Sequence, residues 1–168
     1  MVGTLEGRIE LAGAGDLGEL YERHAQEAVR VAYLLTGDRE LAQDLVQDAF
    51  VRLIGRLGHL RHADAFPAYL RQTVVNLGRM YFRRRKKERA LLEAQTVRDQ
   101  GDPDSIDVES LRMALSSLPY RNRAAIVLRY YCDLPDAETA VVLGCAPGTV
   151  RSLISRGLEQ LGVLVRSE

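Results

Sequence analysis

The 168-residue chain has no tryptophan, three phenylalanines, five prolines and two cysteines. With 46% apolar residues, that scarcity of aromatics and prolines suits an aliphatic helical core better than a β-sandwich. Cys132 and Cys145 have neither metal-ligand spacing nor a secreted-type framework, and their apolar surroundings predict buried, reduced thiols. No apolar run reaches membrane-spanning length, and no basic N-terminal stretch precedes a hydrophobic one. A soluble cytoplasmic protein without membrane insertion is expected. The chain also lacks a glycine-rich phosphate loop, a serine-nucleophile signature and paired carboxylates, so no catalytic residue is assigned. His59, His62 and Asp64 cluster in a loop-like stretch without a fourth ligand, so no metal and no other cofactor is expected.

Charge is present but segregated. The net charge is zero, yet residues 71–89 hold eight Arg or Lys against one Glu, while residues 99–109 hold five acids and no base. Local fields rather than the average therefore govern what this chain attracts.

Helical periodicity and caps divide the chain. Residues 1–16 are glycine-rich and expected to be loose. A first helix is predicted from Asp16 to Thr36, with Leu20, Ala28, Val31 and Leu35 on one face. Gly37 ends it, and Asp38 caps a second helix from Arg39 to Leu57, closed by Gly58. A third starts near Pro67 and continues to about Glu88. Residues 96–107, which include Gly101, Pro103 and most of the acids, have no apolar periodicity and read as a flexible acidic linker. Helices are then predicted at Asp107–Leu118, Pro119–Tyr131, Asp136–Leu143 and Pro147–Leu164. The predicted fold class is all-α: two small helical domains, a three-helix bundle (residues 17–95) and a four-helix unit (residues 108–168), joined by the flexible linker.

Three surfaces carry the functional signal. In the third helix Phe66, Leu70, Thr73, Val74, Leu77 and Tyr81 share one side, while Gln72, Asn76, Arg79 and Arg83 share another that runs into Arg84 and Arg85. One face suits a core and the other a polyanion, although a solvated charged helix would read the same way. In the second helix Val51 and Ile54 lie among Gln43, Asp44 and Gln47, opposite a core face of Leu41, Leu45, Val46, Ala49, Leu53 and Leu57; a protein-binding face or incidental exposure explains them. Near the C-terminus, Ala140, Gly144 four residues later and Val150 six after that have helix-turn-helix spacing: close crossing, left-handed turn, core plug. Val150, Leu153, Ile154, Leu158 and Leu161 are predicted to face inward. Thr149, Arg151, Ser152, Ser155 and Arg156 face out, in a pattern that can enter a major groove.

Several stretches together resemble the extracytoplasmic-function sigma factors of bacterial RNA polymerase. Leu41-Ala-Gln-Asp-Leu-Val-Gln-Asp-Ala-Phe-Val-Arg-Leu53 resembles the polymerase-binding helix of sigma region two. Ala68-Tyr-Leu-Arg-Gln-Thr-Val-Val-Asn-Leu77, continuing to Arg85, resembles the helix that melts and reads the minus-ten element. Leu118 to Tyr130 and Gly144 to Ser152 resemble sigma region four. The resemblance implies a transcription initiation factor whose Asp44, Gln47, Asp48 and Val51 dock on the clamp helices of the polymerase largest subunit. It implies that Asn76, Arg79, Arg83 and Arg84 handle the minus-ten element as duplex and single strand. It places Thr149, Arg151, Ser152, Ser155 and Arg156 on the minus-thirty-five element, and it leaves room for an anti-sigma partner. Leu153 and Leu158 stand where many relatives carry arginine, Ala146 where a capping serine is frequent, and Met80 where an aspartate is frequent. A self-sufficient helix-turn-helix regulator and a helical adaptor are the rival readings.

Overall fold

A computed structural model describes residues 17–56, 63–91 and 106–166. The expectations for residues 1–16, for Leu57, Gly58, His59 and His62, and for most of the linker lie outside them. Every described element is helical: α1 (Leu17–Thr36), α2 (Arg39–Ile54), a short 3₁₀ turn (Ala63–Ala65), α3 (Phe66–Leu91), α4 (Ile106–Ser116), α5 (Tyr120–Ile126), α6 (Asp136–Leu143) and α7 (Pro147–Arg166).

Local chemistry sets the boundaries. Gly37 has φ +71°, and its N–H bonds the Tyr33 carbonyl at 2.8 Å, closing α1 with the left-handed residue that glycine supplies without strain. Asp38 then caps α2, its carboxylate accepting the Leu41 N–H at 3.0 Å. α2 ends at Ile54 rather than Leu57, because the chain turns at Gly55 and Arg56, whose N–H bonds Leu53 at 2.9 Å. α5 does not run on as a regular α-helix to Tyr131. Its last turn, Val127–Tyr131, widens into a π-helix, and the Cys132 N–H reaches the Val127 carbonyl five residues back at 3.0 Å.

The first unit, α1 to α3, buries Leu20, Ala28 and Ala32 against Leu45, Val46, Phe50, Leu53, Phe66, Leu70, Val74 and Leu77. Two of the three phenylalanines anchor it: Phe50 and Phe66 lie 5.5 Å apart, with Tyr21 4.9 Å from Phe50. The second unit, α4 to α7, is built around Leu115, Leu118, Leu128, Leu143 and Val150. In it α7 passes so close to α5 that a Cβ at Gly157 would lie 2.7 Å from the Ile126 methyl.

The two units pack against each other. Val31, Leu34 and Leu35 of α1 and Val75 of α3 are buried within the second unit's core. α1 therefore has two apolar sides. Leu20, Ala28 and Ala32 serve its own bundle, while Val31 and Leu35, predicted to share the face of Leu20, turn to the other unit. Residues 31–35 are all buried, so a helix predicted as amphipathic is covered on both sides at its C-terminal end.

Candidate nucleic-acid and polymerase interfaces

The helix-turn-helix forms as its spacing requires. Ala140 and Val150 are buried, and Gly144 takes φ +62° and ψ 44° with the Cys145 N–H bonded to the Ala140 carbonyl at 3.0 Å. On α7 the side chains of Thr149, Arg151, Ser152, Ser155 and Arg156 are all exposed, while Leu153 and Ile154 are buried. Leu158, predicted inward, is 44% exposed, whereas Leu161 packs on the core. Leu153 is a core residue. Asp136 of α6 lies between Arg129 (3.4 Å) and Arg151 (3.6 Å). It aims the Arg151 guanidinium at little energetic cost, since exposed pairs contribute about 1 kcal/mol or less.

On α2, Gln43, Asp44, Gln47 and Asp48 are exposed, beside Val51 at 67% and Ile54 at 37%. Arg52 pairs with Asp48 at 3.4 Å. The outer face of α2 is thus a continuous strip of carboxylates, amides and two bare aliphatics, as its periodicity predicts. A strip of this kind suits a basic partner surface with an apolar centre.

The polar side of α3 is only partly free. Arg83 and Arg84 are exposed, but Asn76 and Arg79 are half-buried. Arg79 lines an open cleft between the units of about 1030 Å³. Arg83, Arg85, Lys86 and Arg89 join it from α3, and Arg112, Arg121 and Arg123 from the other side. One guanidinium atom, Arg79 Nε, is buried without a hydrogen-bond partner. Such a donor costs about 1–3 kcal/mol.

Between the units lies a set of contacts that periodicity did not find. The Tyr120 hydroxyl donates to the Val75 carbonyl of α3 at 2.8 Å, and its ring lies 5.2 Å from Phe82. Arg123 is buried. It donates to the carbonyls of Leu115 (2.9 Å), Ser116 (3.2 Å) and Leu118 (2.9 Å) at the end of α4, and to Leu35 of α1. Its guanidinium also lies 5.6 Å from the centre of the Phe82 ring. Burial pulls the Arg123 pKa down, with the tyrosine opposing. Burial pushes the Tyr120 hydroxyl well above the ordinary tyrosine range, with Arg123 and Arg79 opposing. Elsewhere the Tyr33 hydroxyl donates to Glu109 at 2.7 Å, tying α1 to α4, and Gln72 makes a long 3.5 Å contact to the Val141 carbonyl.

Cys132 and Cys145 are half-buried rather than fully buried and form no disulfide. Burial raises the Cys132 thiol pKa, with nearby Arg71 opposing. Among the described residues no group of three or more ligating side chains gathers, and no helix is long and apolar enough to cross a membrane. Tyr69 is exposed, whereas Tyr81 is half-buried edge-on to Phe82, 5.4 Å away.

Fold and surface together define an all-helical protein of two units with a C-terminal helix-turn-helix. Models of the families Sigma-70 region 2 and Sigma-70, region 4 match residues 20–88 and 108–161. The RNA polymerase sigma-E factor of Streptomyces coelicolor is 34% identical over 146 residues, covering 85% of this chain and 82% of that one. The ECF RNA polymerase sigma factor EcfG of Rhodopseudomonas palustris is 30% identical over 138 residues, covering 80% and 76%. Among solved structures, the sigma factor RpoE in complex with the anti-sigma factor NepR from Bartonella quintana matches with a TM-score of 0.75 at 23% identity, over 91% of this chain and 98% of that one. The chain belongs to the extracytoplasmic-function RNA polymerase sigma factors, regulatory subunits that direct RNA polymerase to promoters when transcription starts.

Proposed function

We propose that this chain brings core RNA polymerase to a two-part promoter by dividing the work among α2, α3 and α7. In this reading residues 17–95 act as sigma region two, residues 96–107 as an acidic linker and residues 108–168 as sigma region four. Asp44, Gln47, Asp48 and Val51 dock on the clamp helices of the largest polymerase subunit. Thr149, Arg151, Ser152, Ser155 and Arg156 enter the major groove of the minus-thirty-five element, with arginines on guanine edges or phosphates. Asn76, Arg79, Arg83 and Arg84 follow the minus-ten strand as it leaves the duplex. No fuel is involved: a base swung out of the stack costs a few kcal/mol, which protein contacts and strand-following cations offset. The protein acts by binding and carries no catalysis of its own.

The observation that supports this most is the clean sorting of α7, where every proposed DNA-contacting side chain is exposed while Val150, Leu153 and Ile154 are buried. The exposed Val51 and Ile54 on α2 support the polymerase side. An anti-sigma protein, the kind of partner that holds the fold relative RpoE, would find its targets on these same exposed faces. The test is co-elution with purified core polymerase. The wild-type chain is expected to co-elute, and the double variant Asp44→Lys with Val51→Glu, both on an exposed face, is expected to stay folded and elute alone. Normal co-elution of the variant overturns the docking assignment.

A further inference from the structure

The cleft between the units gathers positive charge from both of its walls. α3 lends it five cations and α4 and α5 three more, against one lining carboxylate, Asp38, which is committed to the Leu41 N–H. Some of the cations are also committed: Arg123 to four carbonyls, Arg112 to Glu109, and Arg85 to the Tyr81 hydroxyl at 2.8 Å. Arg83, Lys86, Arg89 and Arg121 are exposed, and among the described residues none of them pairs with a carboxylate. Arg79 Nε has no acceptor either. Like charges facing one another across a cleft repel, so folding alone gives no reason to collect them. The wall between them is apolar. Half-buried Phe82 on α3, Met113 on α4 and Pro119 ahead of α5 line it, with Met113 61% exposed. An aromatic ring and an adaptable thioether suit a flat heterocycle, and arginines beside them suit phosphate oxygens.

We propose that this cleft is a binding site for a nucleoside polyphosphate, its phosphates held by Lys86 and Arg89 of α3 and Arg121 of α5, its base against Phe82 and Met113. The volume of about 1030 Å³ is ample for one nucleotide. Walls from two units, with the cations on both, fit a compact anion better than a strand that must run on past them. The apolar wall adds what a bare inorganic phosphate chain would leave uncovered. Lys86, Arg89 and Arg121 are not among the residues assigned to promoter DNA or to polymerase, so the site stands or falls apart from those assignments. A ligand that binds only the folded chain also stabilises it by mass action, so the melting temperature should rise with nucleotide concentration.

The experiment titrates the full chain into ATP carrying a fluorophore on its ribose, at about 0.15 M salt, where long-range attraction between exposed charges is largely screened. Saturable one-to-one binding is expected. Unlabelled ATP and GTP should compete, adenosine should not, and inorganic tripolyphosphate should compete more weakly than ATP. Arg89→Glu and Arg121→Glu, on opposite walls, should each weaken binding about tenfold or more, the effect of losing one hydrogen bond to a charged group. Lys87→Glu makes the same charge change at an exposed neighbour that does not line the cleft, and it should leave binding unchanged. All three side chains are exposed, so helical circular dichroism should be retained throughout. Met113→Ala should weaken ATP without altering the competition by tripolyphosphate. No saturable binding, or an equal loss with Lys87→Glu, overturns the site and leaves only a basic face. Tripolyphosphate competing as well as ATP overturns the assignment to a nucleoside.

Discussion

Individual side chains here divide into those that hold the chain and those that face outward, and Arg123 and Arg151 show the division. Among the described residues Arg123 pairs with no carboxylate and is held by four main-chain carbonyls. Replacing it with Met leaves the end of α4 and the Leu35 carbonyl unsatisfied, so urea titration should show a loss of at least about 1.5–3 kcal/mol. Arg151→Ala or Arg156→Ala should leave the urea midpoint unchanged. Each should weaken promoter use by about 1–3 kcal/mol in a sequence-dependent way, and an equal loss on scrambled upstream DNA would contradict base reading. Glu109 adds a pH response. The Arg112 guanidinium, then the Tyr33 hydroxyl, hold its carboxyl below the ordinary value of 4.5. A depressed folded-state value means that its contribution is present above pH 4.5 and is lost as pH falls through the folded value. Stability should therefore drop on acidification below 4.5, and Glu109→Gln should flatten that part of the profile. The outward placement of Arg151 and Arg156 was read from periodicity, but the roles of Arg123 and Glu109 could not be. Arg123 sits in a run, Tyr120 to Arg123, that looks like any polar helix start, and only three dimensions show which carbonyls it reaches.

At the scale of elements, the turn of the helix-turn-helix was legible because its constraints are local. Gly144 is needed for its left-handed backbone, and nothing lies within 4 Å of where its Cβ would be. Gly144→Ala should therefore cost about 1–2 kcal/mol through backbone strain alone. Ala146 precedes α7 without a capping side chain, and Ala146→Ser should return about 1 kcal/mol. Thermal melts of both variants check the pair, and a neutral Gly144→Ala would deny the turn its special backbone. The Asp38 cap and the Gly37 terminator were legible for the same reason. The end of α2 was not, because Gly55 and Gly58 are both plausible stops and sequence alone does not rank them. The side of α3 that carries Val75 and Gly78 was also missed. Periodicity assigned it no role, and it meets a unit some forty residues away in the chain.

For the whole molecule, two bundles with their own cores share a third zone, where Val31, Leu34, Leu35 and Val75 complete the core of the second unit. Sequence patterning finds the bundles because each has a periodic face; it cannot say whether they touch. The acidic stretch read as a flexible linker, and Tyr33 and Glu109 join α1 to α4 on either side of it. Family resemblance supplied the order of the functional faces, and the structure adds that the outer faces of α2 and α7 are exposed together while that of α3 is only partly so. The most direct measurement is run-off transcription with purified core polymerase on a panel of promoters. The account predicts discrete transcripts from a subset of promoters only when this chain is added, with Arg151→Ala and the Asp44→Lys, Val51→Glu double variant each reducing them. Tight, specific binding to intact duplex by the chain alone, with no transcript from any promoter, would contradict it.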